Sequence, residues 1–261
     1  MILDEIIANT RRELAAAKER VPAPSLRATA EARPPARDFV AAFAGPRRPY
    51  LLAEIKAASP SAGTIRTDFS PAELARQFER AGVAALSVLT DARYFRGSLD
   101  HLREARAAVA LPVLRKEFII DPYQLYESRA AGADAVLLMA QVLELNELKA
   151  LLELAHRLGM AALVEGHSAQ EIDKAVACGA RLIGINNRDL QTFQTDLATT
   201  AERMKQIPPD RLVIAQSAMH SRRDVQLVTA AGVAGIQIGE ALMRSRDIAV
   251  KVRELLGREE E

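Results

Sequence analysis

Two rhythms of apolar positions alternate along most of this chain. Short apolar runs of the kind that form buried strands recur at 51–56, 85–90, 113–116, 135–139, 161–165, 182–186, 212–216 and 235–239. Between them apolar residues fall at helical spacing, which predicts helices over 71–81, 99–109, 123–131, 145–158, 169–177 and 223–231. The eight runs begin 21 to 34 residues apart, the distance taken up by a strand, a helix and two short loops. Several predicted helices finish alike, at Ala81-Gly82-Val83, Ala131-Gly132-Ala133, Cys178-Gly179-Ala180 and Ala231-Gly232-Val233. Each glycine suits the left-handed position just past a helix.

Eight strand-then-helix units predict an α/β protein, a (β/α)8 TIM barrel with an N-terminal helical extension. An open doubly wound sheet is the alternative, but no Gly-x-Gly-x-x-Gly follows the first strand. Ahead of residue 50, positions 1–20 read as an amphipathic helix carrying Ile2, Leu3, Ile6, Ile7 and Leu14 on its apolar face. Pro22, Pro24, Pro34 and Pro35 then suggest a breaker-rich connection, and 37–43 a second short apolar helix. The expected division is a leader at 1–49 that packs on the barrel and a barrel at 50–261, together one domain.

Composition narrows the setting. The chain has 261 residues, enough for one barrel, and a net charge of +1, which gives no general attraction to nucleic acid or an anionic membrane. Its single cysteine, Cys178, cannot form an internal disulfide and fits a reducing, cytoplasmic location; it reads as small helix-end packing. No apolar run approaches a membrane span, and Asp4 and Glu5 stand where a signal peptide would be basic. A monomer or weak homo-oligomer is expected, with a small phosphorylated molecule as its partner.

Barrels of this type draw their reacting groups from the carboxyl ends of the strands. The polar residues lie there: Glu54 and Lys56 on the first strand, Arg115-Lys116-Glu117 on the third, Glu165-Gly166-His167 on the fifth, Asn186-Asn187-Arg188 on the sixth and Gln216-Ser217 on the seventh. Side chains alternate along a strand, so Glu54 and Lys56 share one face while Ala53 and Ile55 share the other. Two lysines and two acids converging on one cavity suit acid–base chemistry on an anionic substrate. A salt-bridge network lining the barrel is the competing reading. Phosphate is the expected anchor, held after strands seven and eight by Ser217-Ala218 and Gly239-Glu240, with Ser59 as a hydroxyl donor. His101 and His156 fall in helical stretches, His220 begins one, and His167 points away from the face of Glu165. No pair has metal-ligand spacing, so no metal is expected.

At this point whole strings become recognisable. Ala53-Glu54-Ile55-Lys56-Ala57-Ala58-Ser59-Pro60-Ser61, Leu86-Ser87-Val88-Leu89-Thr90-Asp91 and Phe95-Arg96-Gly97-Ser98 resemble indole-3-glycerol phosphate synthase. So do Leu114-Arg115-Lys116-Glu117-Phe118-Ile119-Ile120-Asp121-Pro122-Tyr123-Gln124 and Gly184-Ile185-Asn186-Asn187-Arg188-Asp189-Leu190. The similarity runs from the leader helix to Leu242-Met243.

The resemblance implies a barrel lyase of tryptophan biosynthesis, without metal or cofactor. It implies closure of the ring of 1-(2-carboxyphenylamino)-1-deoxyribulose 5-phosphate, with loss of carbon dioxide and water. By the same resemblance Lys116 is the general acid, and Glu165 and Glu54 serve dehydration. Lys56 holds the substrate carboxylate and Asn186 orients the intermediate. Phe95 and Phe118 pack the anthranilate ring, and Ser59, Ala218, Gly239 and Glu240 cradle the phosphate. Arg188, Gln216 and Ser217 complete the expected substrate-binding set.

Four departures from the family pattern matter: Gln216, Ala218, Gly166 and Gln237. Gln216-Ser217-Ala218-Met219 stands where Glu-Ser-Gly-Ile is usual, Gly166 replaces a valine, and Gln237 occupies an ordinarily apolar position. Both glutamines should point inward, Ala218 should resist a positive φ, and Gly166 should loosen the loop beside Glu165. A pocket retuned toward another phosphorylated substrate, or a non-catalytic binder of phosphorylated aromatic metabolites, are the alternatives to the synthase.

Overall fold

Alternation of side chains builds this fold from the strands outward. The computed structural model describes residues 2–46 and 48–258. Met1, Arg47 and Glu259 to Glu261 lie outside the described residues, as do the parts of the expected leader and barrel segments that fall on them. Among the described residues eight parallel strands close on themselves in chain order: Tyr50–Ile55, Ala85–Leu89, Val113–Lys116, Ala135–Met139, Ala161–Gly166, Leu182–Asn186, Leu212–Gln216 and Gly235–Ile238. Their bounds match the expected runs to within one residue. Closure comes from the first strand, which pairs with the second through Leu52↔Ala85 and with the eighth through Tyr50↔Gly235.

Odd and even positions divide the apolar residues into two layers. Leu51, Ala53, Ile55, Val88, Val136 and Leu138 face outward and are buried beneath the helices. Leu52, Ala85, Leu114, Ala135, Leu163, Leu182 and Ile214 face inward and fill the amino-terminal half of the barrel. Further toward the carboxyl ends the inward positions include Glu54, Ser87, Lys116, Glu165, Asn186, Gln216 and, on the eighth strand, Gln237, while Leu137 and Met139 keep the fourth strand's side apolar. The interior therefore changes from hydrocarbon to polar groups about halfway up, and the site follows from that change.

Helices fill the outer ring as the spacing predicts; besides the four-residue helices Ala92–Phe95 and Glu240–Met243, two longer ones are added among the described residues. Ala198–Met204 follows the sixth strand and Ile248–Leu256 follows the eighth. Gly82, Gly132, Gly179 and Gly232 all take positive φ at the helix ends where such a residue is needed.

The leader differs from expectation in two places. The segment 22–35 is not merely a connection, because Ala23–Glu31 is helical. Pro22 is its N-cap and Pro24 lies in its first turn, where the missing N–H costs no hydrogen bond, so these prolines start a helix. Residues 37–43 do not form an apolar α-helix; they make a turn ending in the 3-10 helix Ala41–Phe43. That turn delivers Phe39 and Phe43 into the amino-terminal end of the barrel, both fully buried with ring centroids 5.3 Å apart. Gly235 makes room for them, since a Cβ there would lie 2.9 Å from the Phe43 ring.

The helix Ala23–Glu31 packs along the outer helix Pro122–Ala131, and the last turns of the long helix Ile2–Arg20 join them there. Ala17, Leu26 and Tyr123 form a small cluster between them, and the Tyr123 hydroxyl lies 2.9 Å from both the Ala17 and Val21 carbonyls. Lys18 adds an ion pair to Asp121 at 2.7 Å. No described helix is long and apolar enough to cross a membrane.

Phe43 plugs the end of the barrel far from the polar groups, which makes its contribution separable from chemistry. Phe43→Ala should cost about 3–5 kcal/mol of stability through the cavity it leaves. Urea unfolding followed by circular dichroism checks this; a loss under about 1 kcal/mol would mean that the floor rests on other residues.

Candidate active site

A cavity of about 170 Å³ opens at the carboxyl ends of the strands. Glu54, Lys56, Lys116, Glu165, Asn186 and Gln216 line it, as do Ser59, Phe95, Phe118, Arg188, Ser217, Ala218, Gly239 and Glu240. Every site residue expected from the sequence is thus brought to one place.

Its charges are arranged as two ion pairs. Lys56 Nζ lies 2.7 Å from Glu54 Oε1, and Lys116 Nζ lies 3.2 Å from Glu165 Oε2. Glu54 and Glu165 are only 6% and 4% exposed, so a lysine beside each offsets the cost of burying a carboxylate. Burial alone would push the Glu54 carboxyl up. Lys56 and Lys116 outweigh it, helped by hydrogen bonds from Lys56 and Gln237, and hold it below the ordinary carboxylate range. Burial likewise disfavours the Lys116 ammonium, but Glu165 and Glu54 overcome this and raise its pKa above the usual lysine value. Lys116 is therefore a cation at neutral pH, the form that a proton donor requires.

Hydrogen bonds fix these groups in turn. Asn186 Nδ2 donates to Glu165 Oε1 at 3.1 Å, while its Oδ1 accepts from the Arg188 backbone N–H at 3.0 Å. Asn186 is held at both ends of its amide, and with it Glu165. His167 places Nδ1 2.7 Å from the Asn186 carbonyl, behind the site and away from the cavity. Gln216 and Gln237 do point inward, joined Nε2 to Oε1 at 2.7 Å. Gln237 Nε2 continues to Glu54 Oε2 at 2.7 Å.

Two aromatic rings make the apolar wall. Phe95 and Phe118 have centroids 6.3 Å apart and planes tilted by 38°. Phe95 ends the short helix Ala92–Phe95, whose first turn is capped by Asp91 Oδ1 accepting from the N–H groups of Tyr94 and Phe95. On the outer face of the third strand, Arg115 binds Glu127 at 2.8 Å and Thr90 at 3.0 Å. Glu117, whose carboxyl is pushed up by burial, accepts from the Phe118 N–H at 3.0 Å. This buried network anchors the strand on both sides of Lys116.

At the rim, Ser217 and Ala218 both have φ of 65°, a conformation costing about 1–2 kcal/mol for a residue with a Cβ. Ala218 accepts the strain that its methyl was expected to resist. Ser59 sits in the small hairpin of Ala58–Ser59 with Gly63–Thr64, its hydroxyl accepting from the Ala62 N–H at 3.2 Å. Gly239 serves a purpose the sequence did not suggest: a Cβ there would lie 2.5 Å from Glu54 Oε1, so the glycine makes room for that carboxylate.

Gly166 corrects an expectation. It ends the buried fifth strand and does not loosen a loop. A Cβ would lie 3.0 Å from Glu171 Cβ, in the first turn of helix Ala169–Ala177, so the glycine lets that helix close against the strand. Glu171 Oε2 accepts from the His167 N–H at 2.8 Å, which ties the turn down.

Some of the lining was not anticipated. Ile2, Leu3 and Ile6 of the leader helix reach the cavity, as do Leu190 and Phe193 from the loop after strand six. Ser87, behind Gln237 at 3.3 Å, could have been found because it shares the inward face with Ala85. No signal in the leader's own pattern points to the cavity. Among the described residues no group of three or more His, Cys, Asp or Glu side chains could hold a metal ion.

Buried charges of alternating sign at the carboxyl ends of the strands, beside two aromatic rings, mark this as the mouth of a (β/α)8-barrel of the enzyme class. Comparison with known proteins is specific. A family model described as indole-3-glycerol phosphate synthase matches residues 3–255. The indole-3-glycerol phosphate synthase of Albidiferax ferrireducens is 49% identical over 257 residues, covering 97% of each chain. That of Rhodopirellula baltica is 46% identical over 255 residues, covering 98% of each. The chain belongs to the indole-3-glycerol phosphate synthase family. Among solved structures, 3-hexulose-6-phosphate synthase from Salmonella typhimurium aligns with a TM-score of 0.63 at 14% identity, over 80% of this chain and 97% of that one. Thiamine phosphate pyrophosphorylase from Pyrococcus furiosus aligns with a TM-score of 0.59 at 16% identity, over 79% and 93%. At such identities the likeness concerns the barrel fold.

Two expected outcomes test this geometry. Glu54 has a lowered pKa, so the stability it adds is present above the ordinary carboxylate range and is lost as pH falls through its depressed value. Lys116→Met removes one of the cations that depress it. Acid unfolding followed by circular dichroism should then begin at higher pH than in the parent; an unchanged midpoint would count against the coupling. Ala218→Gly should stabilise the chain by up to about 1 kcal/mol in urea unfolding, the released strain less the entropy gained by the unfolded chain.

Proposed function

We propose that the two ion pairs carry out the ring closure of 1-(2-carboxyphenylamino)-1-deoxyribulose 5-phosphate. The function is that of the family, indole-3-glycerol phosphate synthesis, a carboxy-lyase step of tryptophan biosynthesis. The observation that carries the assignment of roles is the meeting of Lys56, Glu54, Lys116 and Glu165 in one aromatic-walled cavity.

Ring closure joins the aromatic carbon that bears the carboxylate to the ketone carbon of the ribulose chain. Negative charge develops on the ketone oxygen, and the Lys116 ammonium neutralises it by giving up a proton. Loss of carbon dioxide restores the aromatic ring. The new hydroxyl must then leave as water, which takes one proton to the departing oxygen and one away from the adjacent carbon. Glu165 and Glu54 are placed to exchange those protons. Lys56, nearer the rim, is the counter-charge for the carboxylate before it departs. Asn186 orients the intermediate, and Phe95 and Phe118 pack its ring.

Phosphate is the anchor at the mouth. Ser59 offers its hydroxyl, and Ala218, Gly239 and Glu240 offer backbone N–H groups beyond strands seven and eight. Ser217, Arg188 and Gln216 complete the contact surface. We place the enzyme in the cytoplasm, in keeping with its lone buried Cys178. Of the described large apolar side chains, the exposed ones are Val21, Phe193, Leu227 and Val250, a pattern that supports a monomer or weak homo-oligomer.

The test is direct because the chain contains no tryptophan, so indole fluorescence arises from product alone. Mixing enzyme with the carboxyphenylamino deoxyribulose phosphate should give a rising indole signal. Lys116→Ala should lower kcat by about 10²–10⁴-fold while substrate still binds. Turnover that survives this change would remove Lys116 as the acid; binding with no turnover in the parent would point to a binder.

A further inference from the structure

Gln216, Gln237 and Glu54 form a hydrogen-bonded series whose direction is fixed by its last member. Glu54 is ionised and paired with Lys56 at 2.7 Å, so it can only accept. Gln237 therefore turns Nε2 toward Glu54 Oε2, at 2.7 Å, and is left with Oε1 for its other neighbour. Gln216 presents Nε2 to that oxygen, also at 2.7 Å. Turning the Gln216 amide alone, or both amides together, would set oxygen against oxygen. The series ends in Gln216 Oε1, which is buried beside Gly184 and has no donor.

A buried acceptor without a donor costs stability, and apolar side chains at 216 and 237 would avoid that cost. The return lies at the other end of the series. Gln237 reaches Glu54 across the strand pair that closes the barrel, where Leu52 is opposite Gln237. It is gripped from the seventh strand by Gln216 and lies 3.3 Å from Ser87 Oγ on the second.

We propose that Gln237 is a positioning residue for the ring closure, acting with Gln216 behind it to hold the Glu54 carboxylate between Lys56 and the cavity. This rests on the reading of Glu54 as a proton-transfer group. The charged groups acting on Glu54 are Lys56, just past the end of its own strand, and Lys116 from the third strand; Glu165 pairs with Lys116, and Glu240 beyond the eighth strand interacts with Lys56. Ser87 and Gln237 face it as neutral partners, and the Gln237 hydrogen bond works in the same direction as the two lysines.

The experiment compares Glu54→Gln, Gln237→Leu and the double variant Gln216→Leu/Gln237→Leu in full-length enzyme, by steady-state kinetics across pH and by urea unfolding. Gln237→Leu should lower kcat about tenfold with KM nearly unchanged, and should move the acid limb of kcat to higher pH. It should also lose stability, because Gln216 Nε2 is left without an acceptor. The double variant should regain that stability yet keep the low kcat and the displaced limb. A double variant whose activity returns together with its stability would overturn the proposal, as would an acid limb at the parental pH in either variant. Should the single variant fail to fold, the double variant still decides. Wild-type kcat in Glu54→Gln would instead remove the role of Glu54 itself. An impaired Glu54→Gln beside a fully active double variant would defeat the positioning role alone.

Discussion

Charge neutrality among side chains buried in a small mouth is the constraint on which this structure depends. An unpaired ammonium or carboxylate there would be neutralised by a shifted pKa or would draw in water. Glu54 is held ionised by Lys56 and Lys116, and Lys116 is held charged by Glu165 and Glu54. The pairs are not independent, since Lys116 acts on Glu54 as well as on Glu165. Each of the four side chains is fixed by at least one group that carries no charge or by the strand itself. The framework that holds them is the regular alternation of the barrel strands, with hydrocarbon below and polar groups above.

How much of this could be read from the sequence depended on whether local pattern or tertiary approach decided the outcome. The strand runs were legible because a period of two over a short apolar stretch fits little besides a strand. Lys116 and Glu165 followed from that period, because they share faces with Leu114 and Leu163. The Ala23–Glu31 helix was hidden by Pro22 and Pro24, which break a helix interior but favour its first turn. Phe39 and Phe43 were legible as apolar and not as a barrel floor, since their destination is set by strands far along the chain. Gly166 and Gly239 illustrate the same limit. Each is a glycine because another segment comes close, the first to Glu171 and the second to Glu54.

The positions that depart from the family pattern share a location and differ in consequence. Gln216 and Gln237 complement one another, donor to acceptor, and neither would be well satisfied alone. Ala218 is strained yet keeps the left-handed turn that its loop uses. Gly166 belongs to the packing between a strand and its helix and leaves the Glu165–Asn186 contact intact. An altered rim can therefore coexist with an unaltered pair of ion pairs, which is why the family assignment and the local departures do not conflict.

The aromatic floor made by Phe39 and Phe43 has a consequence for traffic. Because that end is sealed, carbon dioxide, water and the indole product leave by the same opening through which the substrate arrived. Ile2, Leu3 and Ile6 border that opening. The small gas can escape past a bound ring, whereas the phosphorylated product must vacate the doorway before another molecule enters. Whatever enters or leaves therefore passes the leader's first turns as well as the lysines beneath them.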